Sequence, residues 1–98
     1  MYSIILNGYI PDQKVKEFRQ HMKQLSGRPE NQIFQLDVFQ DILHEDLYSV
    51  KLTFEDKQDM FSYMKSENYT MIPGSFKTLG ILRDQHIETF SELKEKVK

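Results

Sequence analysis

This chain of 98 residues contains no cysteine and no tryptophan. Without cysteine there are no disulfides, thiolate nucleophiles or cysteine-based metal sites, which fits a reducing compartment. No apolar run reaches the roughly 20 residues that a bilayer-spanning helix requires. The apolar start Tyr2-Ser3-Ile4-Ile5-Leu6 is too short for a secretory signal and lacks a basic lead. Positive charge is not in excess. Lys and Arg number 13 against 15 Asp and Glu, the signs are interspersed, and the net charge is -2. That balance argues against nucleic acid and anionic membrane as partners. Also missing are a glycine-rich phosphate loop, a nucleophile elbow and a pair of histidines at metal-binding spacing. The expectation is one soluble, cytoplasmic domain over residues 1–98, with no metal.

What the chain does have is ordered apolar patterning, carried in part by seven phenylalanines and five tyrosines. Tyr2 to Ile10 is apolar at nearly every position, which predicts a strand covered on both faces. Pro11 suits the first turn of a helix and Asp12 its positive end. Val15, Phe18, Met22 and Leu25 then recur at helical spacing. Gly27 and Pro29 are predicted to stop that helix. Phe34, Leu36 and Val38 alternate with Gln35 and Asp37 within a strand over 33–39. Tyr48, Val50, Leu52 and Phe54 alternate with Ser49, Lys51 and Thr53, and the polar stretch Asp41 to Asp46 joins the two strands as a hairpin.

Asp56 is placed to cap a second helix with Met60, Phe61 and Met64 on its apolar stripe. That helix is expected to break at Ser66-Glu67. Pro73-Gly74 is expected to interrupt the following segment, leaving one more turn from Ser75 to Leu79. A fourth strand is predicted over 81–90 and a short charged helix over about 91–98. The order strand, helix, strand, strand, helix, strand predicts a ferredoxin-like α+β fold, with two helices on one face of a four-stranded antiparallel sheet. Apolar residues on both faces of the first two strands predict a homodimer through the uncovered sheet faces.

The segment Phe54-Glu55-Asp56-Lys57-Gln58-Asp59-Met60, followed by Tyr63, Ser66, Tyr69 and Leu79-Gly80, resembles the antibiotic biosynthesis monooxygenase family of dimeric α/β barrels. Gly27-Arg28-Pro29 is similar to that family's lead into its second strand. These are signatures of a fold and not of a reaction. The resemblance implies a homodimer whose two sheets close a barrel, with a pocket between sheet and helices in each subunit. It also implies a cofactor-independent monooxygenase acting on a small aromatic or quinol-type ligand. The alternative is a non-catalytic dimer that binds a small ligand or serves a stress or regulatory role. In the family's haem-degrading branch, a first-strand Asn faces the pocket, a Trp lies on the second helix and a His binds iron. Asn7 matches the first of these, Tyr63 stands at the second, and Pro73, which has no donor for iron, stands at the third.

The candidate pocket residues are Asn7, His21, Tyr63, Tyr69 and Phe76. Asn7 is an amide within an apolar strand, and burying an amide costs a few kcal/mol unless it finds partners. His21 flanks the helical stripe beside Phe18 and Leu25 and is either a pocket border or a half-exposed surface histidine. Tyr63 and Tyr69 either donate to a substrate oxygen or simply pack. Asn7 and Tyr63 together would hold the substrate oxygen of an oxygenase. An interior filled by Phe18, Met64 and Phe76 would instead favour the non-catalytic reading. His44 and His86 are expected to be solvated, and Met60, Met64 and Met71 are read as pliable core. No catalytic residue is identified.

Overall fold

The computed structural model describes residues 2–26, 33 and 35–89. The predicted stop at Gly27 and Pro29, the strand positions Phe34 and Phe90 and the helix over 91–98 lie outside the described residues. Strand β1 (Tyr2–Tyr9) leads through a 3-10 turn, Asp12–Lys14, into helix α1 (Val15–Ser26). Strands β2 (Gln35–Gln40) and β3 (Leu47–Phe54) form the hairpin, with its loop over 41–46 as the alternation predicts. Helix α2 (Lys57–Met64), a 3-10 turn at Glu67–Thr70, helix α3 (Met71–Leu79) and strand β4 (Ile81–Thr89) complete the order. The sheet is antiparallel throughout, in the order β2-β3-β1-β4. This is the ferredoxin-like arrangement.

The register decides which side chains meet the helices. Ile4, Leu6 and Gly8 of β1, and Ile10 just beyond it, alternate as buried positions. Opposite them on β3 stand Leu52, Val50 and Tyr48. Phe18, Met22 and Leu25 of α1, Met60 and Tyr63 of α2, and Ile72, Phe76 and Leu79 of α3 close over this surface as one core. Gly8 is required by close approach: a Cβ there would strike the Phe76 ring and lie 2.6 Å from the Ile81 carbonyl oxygen. A Cβ on Gly80 would collide with the Tyr9 carbonyl, which explains the Leu-Gly ending of α3.

The expectation that β1 is apolar on both faces needs correction. The side turned away from the helices carries Ser3, Ile5, Asn7 and Tyr9 from β1, against Thr53, Lys51, Ser49 and Leu47 from β3. Gln35, Asp37 and Phe39 extend these rows on β2, and Glu88, His86, Asp84 and Ile81 do so on β4. This face is therefore mixed and not uniformly apolar, and it is open except at Ser3 and Thr53, which are buried. Apart from Ile5, its apolar residues gather at the hairpin end, in the row Leu47, Tyr9, Ile81 and in neighbouring Phe39.

Two further features differ from, or refine, the sequence reading. Pro73 does not interrupt α3. It lies in the first turn, where a missing N–H leaves no helical bond unmade. The break comes earlier, after Met64, and the Ser66 hydroxyl secures it by donating to the Tyr63 carbonyl at 2.6 Å. β4 contains a register shift opposite Asn7 and Gly8, with Arg83 as the extra residue. That bulge accounts for the irregular apolar pattern of the fourth strand.

Candidate functional site

The space between sheet and helices is occupied by side chains. The rings of Phe18 and Phe76 lie 5.0 Å apart, and Phe18 also meets Tyr48 at 5.9 Å. Phe54, Tyr63 and Tyr69 form a second aromatic chain, with ring separations of 5.6 and 5.8 Å. Phe76 is fully buried and serves as packing against Gly8. Met64 packs against the edge of the same cluster.

The five candidate residues do not converge. Asn7 lies on the open face, because Leu6 and Gly8 on either side of it point to the helices. Its side-chain amide donates to Asp84 Oδ1 at 2.7 Å and its carbonyl accepts from the Ser49 hydroxyl. Tyr63 lies on the opposite side of the sheet, with its hydroxyl donating to the Asn68 carbonyl at 3.3 Å. Asn7 and Tyr63 therefore cannot hold one substrate oxygen. Tyr69 donates to Gln85 Oε1 at 3.3 Å, and burial pushes its phenol above the ordinary tyrosine value. His21 is part-buried between α1 and α3, where Nδ1 shares a 3.0 Å hydrogen bond with Ser75 Oγ. Of the other histidines, His44 is exposed in the hairpin loop. His86 lies on the open face beside Asp84 and within 3.3 Å of Glu88 Oε1. Among the described residues no cluster of His, Asp and Glu is arranged to hold a metal ion.

Open space lies elsewhere. Helix α1 covers β3 but stops short of the edge strand β2, so Leu36 is only partly covered and Val38 is exposed. A groove of about 340 Å³ results, lined by Arg19, Met22, Leu36, Val38, Gln40 and Tyr48, with Lys23 and Ser26 at the rim. A second groove adjoins it along α1 and shares Arg19, Lys23, Gln40 and Tyr48, adding Lys16 and Asp12. A third, between α1 and α3, has His21 and Ser75 in its wall. None of the five candidate residues lines the first groove. Its available signal was the spacing of Lys16, Arg19 and Lys23, which places three cations along one side of α1.

No family model matches this chain, and no curated protein does. Solved structures do. A candidate antibiotic biosynthesis monooxygenase from Deinococcus radiodurans superposes with a TM-score of 0.74 over 100% of both chains, at 13% identity. A second structure, of an antibiotic biosynthesis monooxygenase, gives 0.66 over 95% of this chain and 99% of its own, at 14% identity. A candidate from Chloroflexus aurantiacus J-10-fl gives 0.67 over 96% of each chain, at 9% identity. This chain shares their fold. The likeness extends to the whole element order, whereas identity is too low to transfer a site residue by residue.

Proposed function

We propose that this protein is a homodimeric binding protein for a small organic molecule. The ligand occupies the groove between α1 and the β2–β3 edge. The carrying observation is the contrast between the filled interior, where Phe18 and Phe76 touch, and the groove open beside it. Its volume, about 340 Å³, is within the usual range for small-molecule sites. Met22, Leu36 and Val38 supply an apolar floor suited to a flat ring system. The dimer is supported by the apolar hairpin end of the open face, where Ile81 is 66% and Phe39 53% exposed.

A second reading is a cofactor-independent monooxygenase acting on an aromatic or quinol-type substrate. Likeness to the monooxygenase-named structures supports it. In such a reaction the substrate supplies the electrons, one oxygen atom of O2 enters the product and the other leaves as water. Among the described residues no acid–base pair lines the groove, which weighs toward binding without turnover. Haem is not proposed, because Pro73 stands where the resemblance requires an iron-ligating His.

The test is a methyl-resolved NMR titration with a panel of anthrones, quinols and quinones, with oxygen uptake followed in parallel. Binding that moves the Met22, Leu36 and Val38 methyls without oxygen uptake supports the first reading. Uptake abolished by filling the groove with Val38→Trp establishes the second. If no compound moves those methyls, the groove is not the ligand site.

A further inference from the structure

We infer that the groove selects an amphipathic anion, a flat apolar body bearing a carboxylate or a similar oxyanion. The inference rests on the reading of that groove as the ligand site. Two independent observations carry it.

The first is charge. The chain as a whole is net acidic, with 13 cationic residues against 15 acidic ones. The trough along α1 nevertheless collects Lys16, Arg19 and Lys23 on one side of the helix. Among the described residues none of these three is in an ion pair. Glu17 lines neither groove, and Asp12, at the far end of the trough, is the one carboxylate along it among the described residues. An unpaired guanidinium beside an apolar floor is well suited to an oxyanion, which it can bind through two parallel N–H bonds.

The second is Tyr48. It is only 4% exposed and lines both adjoining grooves. Its ring is fixed against Phe18, yet among the described residues its hydroxyl has no hydrogen-bond partner. A hydroxyl with no protein partner, on a residue that lines both grooves, is free to donate to a ligand oxygen there. Gln40 beside it is held by donating to the Glu45 carbonyl at 2.8 Å, so the groove wall is preorganised. Arg19 and Tyr48 would hold the oxyanion, Lys23 and Lys16 would add long-range attraction, and Met22, Leu36 and Val38 would hold the ring.

The probes are naphthalene-2-carboxylate and its neutral carboxamide, titrated into the full chain and read by the methyl shifts of Met22, Leu36 and Val38. The carboxylate is expected to bind about tenfold more tightly than the carboxamide, and added salt should weaken only the carboxylate. Arg19→Gln should shrink that preference severalfold, and Tyr48→Phe should weaken the carboxylate more than the carboxamide, whose carbonyl oxygen also accepts from the hydroxyl. Lys23→Gln, on the exposed rim, makes the same test should Tyr48→Phe disturb folding. Equal affinity for the two probes overturns the anion preference while the groove stands. Absence of shifts with both overturns the groove itself, and this inference falls with it.

Discussion

At the residue scale, the glycines separate sharply by what surrounds them. Gly8 and Gly80 face the Phe76 ring and the Tyr9 carbonyl, whereas nothing lies within 4 Å of a Cβ built on Gly74. Gly8→Ala should therefore cost about 1–3 kcal/mol through overpacking. Gly74→Ala, within α3, should stabilise by about 0.5–1 kcal/mol through reduced freedom of the unfolded chain. Urea midpoints at constant m-value would check both, and equal effects at the two sites would contradict the packing described. Tyr69 offers a pH-dependent counterpart. Burial raises its phenol in the folded state, so above the ordinary tyrosine value of about 10 the unfolded chain binds fewer protons than the folded one. The stability associated with the neutral phenol is present below that value and is lost as pH rises through the folded one. Tyr69→Phe should flatten the decline in thermal stability at alkaline pH relative to wild type. A decline of unchanged steepness would place its cause in other groups.

At the element scale, local chemistry sets where segments begin and end. Asp56 adopts φ -123 and ψ 137, and its Oδ1 accepts from the Gln58 amide at 2.7 Å, so it caps α2 as the sequence pattern predicts. Asp56→Ala should cost about 0.5–2 kcal/mol, and Asp56→Ser should recover most of it. Equal loss in both variants would assign the effect to charge and not to capping. The hairpin and the break at Ser66 were legible for the same reason: alternation, caps and stops act over a few residues. Pro73 was misread because a proline in a helical segment has two meanings, a break in the interior or an acceptable residue in the first turn. Only the observed start of α3 at Met71 separates them.

At the scale of the whole molecule, the open sheet face has two distinct ends. Ser49, Asn7 and Asp84 form a hydrogen-bonded row, with His86 and Glu88 further along β4. Beyond the apolar row of Leu47, Tyr9 and Ile81, the hairpin tip presents Ile42 and Leu43, 94% and 85% exposed. A homodimer would bury this apolar end. Light scattering at micromolar concentration should therefore report twice the chain mass of 11.7 kDa. Phe39→Asp combined with Ile81→Asp should convert it to monomer without loss of helical circular dichroism. A wild-type monomer under those conditions would remove the proposed dimer, while the ligand groove, formed within one chain, would be unaffected.

The sequence by itself determined the kinds of elements and their order, because the two-residue and 3.6-residue periods are local properties that a short window contains. It could not orient β1. Ile4 and Leu6 share one parity and Ile5 and Tyr9 the other, so either face of that strand could have been the core. Pairing with the strictly alternating β3, and the fit of Phe76 over Gly8, decided the choice and turned Asn7 away from the helices. The groove is likewise a product of tertiary structure. It exists because α1 falls short of the edge strand, which brings Arg19, Val38 and Tyr48 to one cleft from three separate elements.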